Sequence, residues 1–227
     1  RALSDPVSFL PSGATTSGVD VDWRLGQRWG LSGYWAGSRV TGTPEAIGQL
    51  QTSTVHSFQR PDADHVEVDP LARALSGHSG SINFGKIAGQ RTRGNFIVGY
   101  KSPGFDTNDL SFMQRADQIS QNGWVQIRWD QPGRFTRNIR LNVNQWSAFN
   151  FGGDRLNLGV NVNAHWQFQN QWSAGFGANV NARRFDDRLT RGGPGGRTTG
   201  NLNSWQYLNT DDRRAVSFSW NSDFGND

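Results

Sequence analysis

Apolar and polar residues alternate along much of this chain with a period of two. Leu156, Leu158, Val160, Val162, Ala164, Trp166 and Phe168 form one set, and Asn157, Gly159, Asn161, Asn163, His165 and Gln167 fall between them. Such alternation marks a strand with two unlike faces. Gln169, Asn170 and Gln171 separate this run from a second, in which Trp172, Ala174, Phe176, Ala178, Val180 and Ala182 alternate with Ser173, Gly175, Gly177, Asn179, Asn181 and Arg183. Two runs joined this tightly predict a hairpin.

The design recurs. Val19, Val21, Trp23 and Leu25 turn through Gly26, Gln27 and Arg28 into Trp29, Leu31, Gly33 and Trp35. Val125, Ile127 and Trp129 turn through Asp130 to Gly133 toward Phe135, Ile139, Leu141 and Val143. Trp205 and Tyr207 lead through Asp211 and Asp212 to Val216, Phe218 and Trp220, and Ile82 and Phe84 lead through Gly89 to Arg93 into Phe96, Val98 and Tyr100. The expectation is an all-β, antiparallel up-and-down meander of about ten long strands. Residues 1–16 read as a loop or linker and 17–221 as the strands of a single β-barrel segment.

Connection lengths alternate too. Short turns are expected near 26–28, 90–93, 130–133, 169–171 and 210–213, and longer connections near 40–78, 102–117 and 186–202, with a short one near 150–154. Short turns at one end and longer loops at the other are the layout of an outer-membrane barrel. Several runs reach roughly 12–14 residues, whereas soluble strands average about 5 or 6 and a tilted membrane strand needs about 9–11. Trp29, Trp129, Phe135, Trp166, Phe168 and Trp172 cluster beside the short turns, together with Leu25, as an interfacial girdle would.

Composition sharpens this picture. The 227 residues suffice for one sizeable β-domain and contain no cysteine, which removes disulfides, thiolate metal ligands and thiol nucleophiles. Mean hydropathy is −0.67 and no apolar run is long enough for a membrane helix, which leaves a barrel open because only alternate residues of its strands meet lipid. The net charge of +4 is scattered along the chain, unlike the basic stripe of a nucleic-acid binder, so no nucleic-acid partner is expected. Ten tryptophans favour a membrane–water boundary, where an apolar ring and its N–H are both satisfied. Residues Arg1 to Gly18 do not resemble a signal peptide, and the expectation is a mature or excised segment.

One stretch carries a family resemblance. Tyr100 to Leu110, reading YKSPGFDTNDL, is followed by Phe112, Met113, Gln114, Arg115, Ala116 and Asp117, and Arg191 to Pro194 supplies a second match. The chain from about Ser17 onward resembles the DUF5916 family, bacterial proteins of unknown function. The resemblance implies an outer-membrane barrel, in longer proteins that often carry an N-terminal domain similar to family 9 carbohydrate-binding modules. It further implies that this chain is a fragment, that strands of the parent chain complete the wall, and that the location is the bacterial outer membrane.

Candidate chemistry is sparse. Pro103, Gly104, Asp106, Asn108 and Asp109 suit either a functional loop or one folded onto the lumen wall, and the second is expected. Asp62, Asp64, His65, Glu67 and Asp69 are dense enough for calcium but lack the spacing of a calcium loop. His56, His65, His78 and His165 show no zinc-hydrolase spacing, and His165 falls on the polar parity, facing the lumen. Gly192 to Gly196 precedes no helix that could hold phosphate. The neighbouring pairs Asp186–Asp187 and Asp211–Asp212 would point to opposite faces of a strand, unlike a glycosidase pair.

Arg134, Arg137, Arg140, Arg183, Arg184 and Arg188 are candidates for lining a pore or for bonding the wall together. Arg137 and Arg184 fall on the apolar parity and should lie near an interface, because an Arg facing lipid at mid-bilayer costs about 2–4 kcal/mol. Three readings follow. The first is a structural, transport or binding barrel segment partnered by outer-membrane lipid, with a saccharide or other small ligand in the lumen. The second is a soluble carbohydrate-binding β-sandwich with exposed tryptophans. The third is a hydrolase whose carboxylates sit on loops, with Asp106 and Asp109 as the residues to test. No catalytic residue, metal site or cofactor is assigned.

Overall fold

The computed structural model describes residues 8–226. Its strands are β1 (Gly13–Leu25), β2 (Trp29–Thr41), β3 (Ala74–Lys86), β4 (Thr92–Lys101), β5 (Gln118–Trp129), β6 (Thr136–Phe149), β7 (Arg155–Phe168), β8 (Ser173–Asn181), β9 (Arg184–Asp186), β10 (Gly196–Thr198), β11 (Asn201–Asn209) and β12 (Ser219–Asn226). Ten of them form one sheet in the order β1-β2-β3-β4-β5-β6-β7-β8-β11-β12, every pair antiparallel, while β9 and β10 form a separate two-stranded ribbon. This is the expected meander. Among the described residues β1 and β12 do not pair with each other, so the sheet is open. The one other sheet among the described residues is the β9–β10 ribbon, so ten strands run on in a single sheet rather than dividing into two.

The period-two pattern fixes the register. Val143 lies opposite Val162, which lies opposite Ala178, while Asn144 lies opposite Asn161, which lies opposite Asn179. A slip of one residue would exchange the two faces, so an alternating sequence permits few registers. The first strand opens at Gly13 rather than 17, and the last runs to Asn226 rather than 221. Trp205 and Tyr207 were expected on the apolar parity, but they pair with Gly177 and Gly175 on the polar side. Val216 and Phe218 precede β12, in a connection longer than the expected turn, because the strand begins only at Ser219.

The three longest connections, 42–73, 102–117 and 182–200, lie at one end of the meander. The longest contains α1 (Pro44–Thr52), in place of the loop expected from the sequence. Thr43 caps it, accepting the Ala46 N–H at 3.2 Å, and Pro44 stands at its start. These are strong start signals even for a short helix. Ile47 of α1 is fully buried against Val40 of β2 and Leu75 of β3, with Leu50, Phe58 and Ala72 around them. A neighbouring cluster joins Phe105, Met113 and Ala116 to Ala36 and Val55. Ala36, Val40 and Leu75 share the parity of the asparagines, so the loops fold over that side of the sheet.

Candidate functional site

The polar face of β5 to β11 is a hydrogen-bonded lattice of amides. Asn142 donates to Asn163 at 2.7 Å, Asn144 donates to Asn161 at 2.8 Å, and Asn161 donates onward to Asn179 at 2.8 Å. Asn179 donates to Asn203, and Asn181 to Asn201 at 2.7 Å. Gln126 and the Trp124 indole both donate to Asn142. An amide carries donors and an acceptor at once, so a row of asparagines can pass hydrogen bonds from strand to strand.

Aromatic rings lie flat on this face where glycine makes room. A Cβ added at Gly159 would stand 2.4 Å from the Trp146 ring, one at Gly177 2.5 Å from Trp205, and one at Gly175 2.3 Å from Tyr207. Trp205 and Tyr207 are stacked, with centroids 6.1 Å apart, and the Tyr207 hydroxyl lies 2.9 Å from His165 Nδ1. Trp124, Trp146 and Trp205 border a depression of about 470 Å³ with Asn144, Asn161 and Asn163. Flat rings beside amide donors and acceptors can hold a ligand with one apolar face and hydroxyl edges. The alternation of asparagine and glycine signals this lattice in the sequence. The glycine-seated rings do not show there, because they depend on which strands pair.

At the loop end the charges serve as braces. Asp187 is buried and receives Arg60 Nη1 at 2.8 Å and Arg115 Nη1 at 2.9 Å. Asp117 is also buried, accepts from His65 at 2.8 Å and from the Phe151 amide, and lies 3.6 Å from Arg60. Arg188 donates to the carbonyls of Thr54, Val55 and Gln114, tying two loops to a third. Burial would raise the Asp187 carboxyl, but the Arg115 hydrogen bond and the neighbouring guanidinium charges hold it below the usual carboxylate range. Burial, with Arg115 nearby, brings Arg188 down to about 10.

The candidate residues separate on this frame. Asp106 is buried, and its oxygens accept from His56 at 2.8 Å and from the Asn108 amide at 2.8 Å. His56 spends its other nitrogen on the Pro103 carbonyl, so neither ring nitrogen is left free as a base. Burial opposes ionisation of Asp106, but the His56 and Asn108 hydrogen bonds outweigh it and depress its pKa. The 102–117 segment packs on β2 and β3, with the Asp106 amide donating to Ser38. Asp109 stands apart, exposed.

The acidic cluster disperses. Asp62 accepts from the Gly195 amide, His65 turns to Asp117, and Asp69 accepts from the Leu71 amide. No group of three metal-binding side chains forms among the described residues.

Of the six arginines, Arg140 lies on the polar wall face, opposite His165. Arg137 sits at a register irregularity and is exposed, and Arg134 stacks over Phe135 at 5.0 Å near the short-turn end. Arg184 belongs to the β9–β10 ribbon rather than to a wall strand, because β8 ends at Asn181. Arg188 bonds the loops rather than lining a pore.

Comparison with curated proteins finds no match. The sequence profile described as a domain of unknown function (DUF5916) matches residues 40–226, which takes in the polar lattice, the braced loops and all but the first strand and part of the second. The chain belongs to the DUF5916 family.

Proposed function

We propose that this chain is part of the wall of a β-barrel in the bacterial outer membrane, its apolar face against lipid and its asparagine face toward water. The observation that carries the reading is the inverted burial of the sheet. Ile82 is 63 % exposed, Val125 53 %, Phe96 50 % and Phe176 45 %, whereas Asn161 on the opposite face is 8 % exposed. A continuous apolar surface over many strands is far larger than a soluble monomer tolerates. On β5 the exposed apolar parity runs from Ile119 to Trp129. Ten strand steps of about 3.3 Å, tilted as in outer-membrane barrels, span about 25 Å, the height of the apolar band in such barrels.

The aromatic belt supports the same reading. Trp29 stacks on Phe84 at 5.1 Å, and Arg91 lies over the Trp129 ring at 5.8 Å, both near the short turns. The free edges of β1 and β12 call for further strands, which we assign to the parent chain, because lipid cannot hydrogen-bond an edge. The role is structural, or transport or binding along the polar face. The ligand class that face suits is a saccharide, taken by the indoles of Trp146 and Trp205 and the neighbouring amides.

These 227 residues contain no cysteine, so a labelling background can come only from the rest of the parent chain, where any cysteine is first replaced by serine. With the full parent chain in lipid vesicles, a polarity-sensitive label at Val160→Cys, Val162→Cys and Phe176→Cys should report hydrocarbon. The same label at Asn161→Cys and Asn163→Cys should report water. Equal wetting at both parities sinks the bilayer assignment.

A further inference from the structure

At the loop end the exposed apolar face meets a patch of positive charge. Arg155, Arg183, Arg184 and Arg197 border a depression of about 870 Å³ together with Phe149, Leu158 and Phe185. Phe149 pairs with Ile119, and Leu158 shares the parity of Val160, so the depression opens on the apolar side of the sheet. All four arginines are exposed, and none makes an ion pair among the described residues. Arg155 donates to the Arg183 carbonyl at 2.7 Å and Arg184 to Thr198 Oγ1 at 3.3 Å, which sets two guanidinium groups at the rim. The one carboxylate on the lining, Asp154, accepts from Asn150 Nδ2 at 2.9 Å.

We propose that this rim binds the net anionic phosphate headgroup of a lipid lying against the apolar face. The proposal rests on the bilayer reading above. Guanidinium groups present paired N–H donors that match phosphate oxygens. Four of them face the single carboxylate of Asp154 on this lining, so it keeps a net positive charge that favours an anion. Phe149, Leu158 and Phe185 supply an apolar floor for the part of the lipid next to the phosphate, which a free phosphate ion cannot use. The position is also the one a headgroup needs, because the apolar strand residues begin directly beside it.

The test places the full parent chain in nanodiscs of phosphatidylcholine mixed with phosphatidic acid. Retained lipid is counted by native mass spectrometry after extraction. Phosphatidic acid should be enriched, and Arg183→Gln with Arg184→Gln should lower the enrichment on the order of fivefold per charge removed. Removing the same charge from the polar face, with Arg24→Gln and Arg93→Gln, should leave it unchanged. Heat-modifiable migration on a gel reports folding. If the first pair misfolds, Arg155→Gln with Arg197→Gln carries the same expectation. Equal retention of the two lipids, enrichment that survives loss of the rim arginines, or displacement of the lipid by equimolar inorganic phosphate overturns the proposal. Insertion without lipid preference overturns the headgroup site alone, whereas failure to enter either bilayer overturns the wall assignment and the site with it.

Discussion

The loop end and the strand wall of this protein treat apolar side chains in opposite ways. Among the loops, Ile47, Met113, Phe105 and Ala116 are buried, and the charges of Arg60, Asp117 and Asp187 are buried with partners. On the wall, Val21, Val125, Phe176 and Val180 are exposed while asparagines fill the sheltered side. The loop end therefore obeys the rule of a protein in water, and the wall inverts it. Because one chain does both, the exposed band cannot be put down to a poor supply of covering residues. The bilayer proposal accounts for the difference as a change of surroundings along the strand axis, from water at the loops to hydrocarbon beside the strands.

The comparison can be broken most sharply at the loop end. Asp187→Ala leaves the buried Arg60 and the partly buried Arg115 without this carboxylate, and removing one member of a buried pair costs about 3–5 kcal/mol. Proteolysis and hydrogen exchange should then open residues 42–73 and 102–117 while the strands stay protected. Loops that stay closed would show that the brace is not what orders them. Acid provides a reversible version. Asp106 and Asp187 both have depressed folded pKa values, so their contribution is complete above the unfolded carboxylate value near 3.9 and is lost as pH falls through the lower folded values. Exchange protection of the loops should hold from neutral pH to about 4 and fail only below it. Loss already at pH 5 to 6 would contradict this.

The wall is tested by charge. On the bilayer proposal, Val162→Arg should cost about 2–4 kcal/mol in folding titrations in lipid, the penalty for an Arg facing hydrocarbon. A change under half a kcal/mol, as for an exposed surface residue, would place that face in water. The smallest expected effect concerns the polar face. Gly177→Ala should cost about 1–3 kcal/mol by pushing the Trp205 ring off its seat, with a shift in tryptophan emission. An unchanged spectrum would mean that the ring does not rest there.

Much of the wall was legible because a strand with two environments must alternate, and the alternation of Leu158 to Trp166 and of Ala174 to Val180 states it directly. The exceptions have particular causes. Trp205 and Tyr207 read as apolar-face residues by type, yet they occupy the polar face because Gly177 and Gly175 on the adjacent strand leave room for their rings. The helix at Pro44 was announced by Thr43 and Pro44, but nine residues of weak periodicity inside a long connection did not stand out. The candidate site was less legible. Asp106 and His65 were visible as chemical groups, but their partners His56 and Asp117 lie 50 and 52 residues away along the chain.

The sequence by itself determined the strand periodicity, the alternation of short and long connections and the two unlike faces, since each follows from local order along the chain. Only the tertiary structure decided that the loops close over the polar side through Arg60, Arg115, Arg188 and Asp187, and that four arginines gather at the rim of the apolar band. Those arrangements join residues far apart in the chain, and no local pattern encodes which distant charges will meet.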